Sequence, residues 1–295
     1  MNTLSSFTRK KRRNAFTLIE IMVATVIMVV LVGLVIQITS EVLKVWTRSS
    51  GKLSANAEAR VAMDMITQDL ETAVFRNNGL RWLEAEQDTF EAPLSGTGFK
   101  TTKLKLFSPA LDRPSDVAGD ICGVSYLLDY RNAIDGTEVG DRTFILYRQL
   151  VDPKTTFDDL MGVGIQEVLS GGEWANSAII GTDGANYLVS NIVDFRVDFH
   201  VVDDGDTSTS TLVAGDVFFG GTSSTVGSGA ERPAKVQFAN NLAYAVITLT
   251  VIPDDALNII QNNVLSQTGF SGWKEFIAAN SEVFTRRVHF MAHPL

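Results

Sequence analysis

The chain has 295 residues and carries 25 Lys and Arg against 34 Asp and Glu. That length admits one or two domains. Its acidic balance argues against a nucleic-acid-binding body, whose footprint is a basic patch. Cys122 is the only cysteine, so an internal disulfide is excluded and the fold must be held by its core.

In chain order, the first feature is a basic block, Arg9, Lys10, Lys11, Arg12 and Arg13, with no acidic residue before or within it. Residues 16–38 follow and are almost wholly apolar, with one ionisable group, Glu20. As a helix this run rises about 35 Å at about 1.5 Å per residue. A hydrocarbon core is about 30 Å thick, so the run reads as a tilted membrane span. The basic block ahead of it predicts an N-terminus that stays in the cytoplasm, with the rest of the chain across the membrane. A secretory signal peptide fits less well. Its apolar core is about 7–15 residues and ends in small-x-small. Here the run is longer, and its exit is Gln37-Ile38-Thr39-Ser40-Glu41. A plain signal anchor leaves Glu20 unexplained, because a carboxylate in hydrocarbon costs about 3 kcal/mol or more.

Asn14-Ala15 followed by Phe16-Thr17-Leu18-Ile19-Glu20 resembles the processing site of the type IV pilin and type II secretion pseudopilin superfamily. The resemblance implies a cut by a prepilin peptidase between Ala15 and Phe16 and N-methylation of Phe16. It makes Glu20 the assembly glutamate, and it implies other pilin or pseudopilin subunits and the inner membrane as partners. Ala15 stands where the family usually has glycine. Methylation keeps the positive charge of the new terminus. In a filament, Glu20 of one subunit then meets the Phe16 ammonium of its neighbour, and the two charges leave lipid as a pair. The simpler alternative is that Glu20 neutralises its own terminus or reaches to the interface. Loss of residues 1–15 leaves 20 basic against 34 acidic side chains, a balance that suits a soluble exported domain.

Residues 39–79 read as an amphipathic continuation of the helix. Ala59, Ala62, Met63, Ile66, Leu70, Ala73 and Val74 share helical spacing. The helix is expected to run from about residue 16 to Asn77, with Ser49-Ser50-Gly51 as a soft spot where a kink fits. Trp46 reads equally as an interfacial or a core tryptophan. Arg60-Val61-Ala62-Met63 with Asp69-Leu70 and Arg76 is similar to the pattern of J-type minor pseudopilins. The chain also resembles pilin-like cassette families of Verrucomicrobia.

Residues 80–295 read as β-rich. Alternating or β-branched runs predict strands at 103–107, 123–130, 142–151, 187–189, 192–202, 243–252 and 283–291. Residues 257–265 read as a short helix. The expected fold class is α+β: one long N-terminal helix packed on an antiparallel β-rich domain, as in pilins. Residues 203–234 are rich in Gly, Ser and Thr and read as a flexible surface loop.

Chemistry is sparse. His200, His289 and His293 are the only histidines, and none has zinc-motif spacing with Cys122. Asp203, Asp204 and Asp206 could lend oxygens to calcium, but they lack the twelve-residue EF-hand loop. There is no G-x-S-x-G, P-loop or G-x-G-x-x-G, so no enzyme and no cofactor is expected. The expectation is a minor pilin or pseudopilin, held in the inner membrane with its β-domain in the periplasm and later in a filament. The alternative is a membrane-anchored binding module that recognises an exported substrate or surface.

Overall fold

The computed structural model describes residues 17–75, 81–89, 100–113, 116–161, 172–203, 206–212, 216–220, 236–238 and 242–290. The chain divides into two compact units between Ser49 and Ser50.

Helix α1 (Leu18–Glu71) supplies the first unit and reaches into the second. Its residues 18–50 are exposed on every side. Such a surface suits lipid or a protein partner better than water. Ser49-Ser50-Gly51 does not end the helix. The later part of α1 changes character. Ala55, Ala59, Ala62, Met63, Ile66, Asp69 and Leu70 are buried, at spacings that return to one helix face. The small alanines let that face lie close to the sheet. The helix stops at Glu71, ahead of Asn77. Tertiary contacts explain why. The Val74 N–H donates to the Phe107 carbonyl at 2.8 Å, and the Thr72 and Ser108 hydroxyls stand 2.8 Å apart. Both bonds draw the chain onto a strand before Asn77 is reached.

The second unit is a sheet of eleven strands among the described residues. They are β1 (Arg81–Thr89), β2 (Lys100–Ser108), β3 (Cys122–Asn132), β4 (Arg142–Val151), β5 (Tyr187–Ser190), β6 (Ile192–Asp203), β7 (Asp206–Leu212), β8 (Val217–Gly220), β9 (Val236–Phe238), β10 (Leu242–Val251) and β11 (Glu282–Val288). The main path runs β11-β10-β6-β2-β1-β8-β9, and β2 also carries β3, β4 and β5 in succession. Pairing is antiparallel except for β8 with β9 and a parallel bridge between Thr101 and Phe195.

Period-two alternation sets the core. Phe195, Val197, Phe199 and Val201 on β6 share one buried cluster with Ala245, Ile247, Leu249 and Val251 on β10 and with the α1 stripe. Each large apolar side chain buried there contributes about 1.5–3 kcal/mol before entropy is counted. Parts of the opposite face are covered too. Trp82, Phe107, Val151, Leu160 and Trp174 form a second cluster. A Cβ on Gly123 would stand 2.8 Å from Leu160 Cδ1 and 3.0 Å from Trp174, so the close approach of that layer requires glycine.

Helices α2 (Pro153–Thr155) and α3 (Asn176–Ile180) follow β4, and α4 (Asp254–Gln261) and α5 (Trp273–Asn280) lie between β10 and β11. The 203–234 segment is not all loop, since β7 and β8 fall within it. Residues 221–234, the most Gly/Ser-rich part, lie outside the described residues.

Candidate processing and assembly site

The start of α1 is built by its own residues. The Thr17 N–H and hydroxyl both donate to Glu20 Oε2, at 3.0 and 3.1 Å. The Glu20 N–H returns a bond to Thr17 Oγ1 at 3.3 Å. This reciprocal pair is a capping box, and Thr-Leu-Ile-Glu carries its S/T-x-x-E signature. It satisfies two of the N–H groups that a helix start leaves open. The carboxylate also sits in the first turn, where the positive helix end favours it. Only Oε2 is engaged; Glu20 Oε1 accepts no hydrogen bond among the described residues.

From Ile21 to Ile36 the only polar side chain is Thr25, and its hydroxyl is satisfied within the helix. The Thr25 hydroxyl donates to the Met22 carbonyl at 2.8 Å, and Thr39 to Val35 at 2.8 Å. These back-bonds satisfy the hydroxyls within the helix itself. A Cβ on Gly33 would meet nothing within 4 Å, which leaves a shallow notch for a neighbour. Trp46 is 65% exposed. By length and composition α1 can cross a membrane.

The remaining expected residues divide clearly. Ala15 and Phe16 lie outside the described residues, as do Arg76, Asp204 and His293. Asp203 and Asp206 face each other in register at the β6–β7 turn. No group of three or more His, Cys, Asp or Glu side chains among the described residues is placed to hold a metal. Of the residues shared with the J-type pattern, Met63, Asp69 and Leu70 are buried and Arg60 is exposed. Asp69 has a role that spacing could not show. Its carboxylate accepts from Arg148 Nε at 2.9 Å and from the Tyr126 hydroxyl at 2.5 Å. Burial first, and then the Asp69 charge, push the Tyr126 phenol well above its usual range.

The prokaryotic N-terminal methylation motif matches residues 10–36. The chain therefore carries a prepilin-type methylation motif. No curated protein and no solved structure matches the chain. The motif, with an apolar N-terminal helix and a β-rich domain, is consistent with membership in the pilin and pseudopilin superfamily. It implies a prepilin peptidase and other pilin subunits as partners, and a structural role instead of a catalytic one.

Proposed function

We propose that the chain is a minor pilin or pseudopilin of the J-type kind, a subunit of a type II secretion pseudopilus or a type IV pilus-like filament. Prepilin peptidase cuts between Ala15 and Phe16, and Phe16 becomes the methylated N-terminus. The mature protein waits in the inner membrane with its β-rich unit in the periplasm, and then enters the filament through residues 16–38. Glu20 is the assembly residue. One observation carries this reading: in the apolar, exposed first part of α1, residues 18–36, Glu20 spends only one oxygen on its own cap. The other oxygen is left to accept the Phe16 ammonium of a neighbouring subunit, which offsets the cost of a carboxylate in lipid.

The two roles of Glu20 separate by substitution. Glutamine preserves a capping box but has no charge. Glu20→Gln and Glu20→Ala are both expected to reach the membrane and to be missing from filaments sheared off cells. Wild-type amounts of Glu20→Gln in the sheared fraction would overturn the assembly role and leave Glu20 a helix cap only.

A further inference from the structure

The apolar surface of α1 does not stop where the membrane-spanning run stops. Gln37, Thr39, Ser40 and Glu41 make a polar exit from that run. Val42, Leu43, Val45 and Trp46 follow at once, each more than half exposed. Large apolar side chains left in water forgo the free energy of burial, so a helix that simply enters water would stay polar here. The one hydroxyl in the stretch is turned inward. Thr47 Oγ1 donates to the Leu43 and Lys44 carbonyls, each at 3.0 Å, and so is satisfied without a partner outside the helix. Lys44 stands exposed among the four apolar residues, and Glu41 lies one turn before it.

Length places this stretch. A charged terminus ahead of the helix and the Glu20 carboxylate avoid hydrocarbon, which puts Leu18, the first residue of α1, at its near edge. Trp46 lies 28 residues further on. The rise to its Cα is about 42 Å along the helix, or about 39 Å across a bilayer at a tilt of about 20°. A long side chain on a helix covers the turn before its own Cα, which brings the indole back to about 35 Å. Hydrocarbon takes up about 30 Å, and the far headgroup layer about 5–7 Å more. The ring thus falls beyond hydrocarbon and short of bulk water, where an apolar body with one N–H donor is favoured.

We propose that residues 42–46 are a second membrane contact, an anchor whose partner is the phospholipid headgroup layer on the far side of the span. The Trp46 indole lies among the glycerol and phosphate groups. Val42, Leu43 and Val45 rest against the upper ends of the acyl chains, and the Lys44 ammonium meets lipid phosphate. The inference rests on the reading of the chain as a membrane-held subunit and adds what sets its depth. An apolar run alone can slide along its axis. Glu20 at one end and the indole and ammonium at the other hold it in place.

The test uses the full-length protein purified from native envelopes and returned to vesicles of phosphatidylethanolamine and phosphatidylglycerol. The fluorescence that Trp46→Phe removes is the Trp46 signal, because Trp82, Trp174 and Trp273 belong to the β-rich unit. That signal is expected to be quenched more by a nitroxide on the lipid headgroup than by one at the end of the acyl chain, and to be shielded from aqueous iodide. Lys44→Glu is expected to weaken the headgroup quenching and Lys44→Arg to keep it. Quenching by iodide alone would put the ring in water. Stronger quenching from the chain end would put it in hydrocarbon, and shielding without lipid quenching would give it a protein partner. Any of these, or a Lys44→Glu signal equal to wild type, would overturn the anchor. A carbonate wash of the same vesicles separates the two claims. Protein that stays with the lipid and shows no headgroup quenching sinks the anchor alone, and protein that washes off sinks the membrane span itself.

Discussion

Arg148 Nε donates to Asp69 Oδ2 at 2.9 Å, and this ion pair joins β4 to helix α1 with both side chains almost wholly buried. Tyr126 on β3 binds the same carboxylate oxygen, and Asp112 takes the outer edge of the guanidinium at 2.6 and 3.1 Å. Removing Arg148 leaves the buried Asp69 carboxylate without a cation, and removing Asp69 leaves Arg148 only the outer carboxylate of Asp112. Asp69→Ala and Arg148→Ala are each expected to cost about 3–5 kcal/mol in urea unfolding. Tyr126→Phe, which deletes the hydroxyl's bond to Asp69 and the one it accepts from Arg148 Nε at 3.0 Å, is expected to cost about 1–3 kcal/mol. Asp69→Ala with Arg148→Ala should cost much less than the sum of the two. Additive losses would show that the pair does not act as a unit.

Asp194 gives the β-rich unit a pH dependence of a particular sign. It is 7% exposed. Burial raises its carboxyl to about 6, with Arg196 opposing the rise and Asp198 adding to it. The unfolded group titrates near pH ~4. Between about pH 4 and 6 the folded state therefore holds more protons, and stability falls as pH rises through that window. Above it the buried charge costs on the order of 2 kcal/mol. Asp194→Asn is expected to raise urea stability at pH 8 and to remove this part of the slope between pH 4 and 7. An Asn variant less stable than wild type at pH 8 would show that the charge is needed.

Cys122 is fully buried, and burial pushes its thiol up to about 11. The thiolate is the reactive form. At pH 8 the native protein is expected to resist iodoacetamide, and the unfolded protein to take up one equivalent. Rapid labelling of the native chain would mean that β3 opens at its Cys122 end.

Much of this architecture was legible in the residues. The 142–151 strand coincides with β4, and the 192–202 and 243–252 runs fall within a residue of β6 and β10 at each end. The 192–202 run alternates cleanly, and the other two are rich in β-branched and aromatic residues. β1 is not legible, because Arg81–Thr89 places Glu84 and Glu86 where a strand pattern expects apolar residues, and Glu84 is fully buried in the sheet. β7 was hidden in a Ser/Thr-rich run whose composition reads as linker. The helix end is not legible, because the Val74–Phe107 bond that draws the chain off the helix is non-local. At the candidate assembly site, the type and place of Glu20 are visible in the sequence. The reciprocal Thr17–Glu20 cap was also within reach of the T-x-x-E spacing. The buried Asp69–Arg148 pair was not, since 78 residues separate its members in sequence and nothing local joins them.

The most direct test of the whole account is the intact mass and N-terminal sequence of the protein purified from native envelopes. The expected chain begins with N-methylphenylalanine at Phe16 and lacks residues 1–15. A chain that still begins at Met1, or one cut beyond the apolar helix near Ser40, would contradict it.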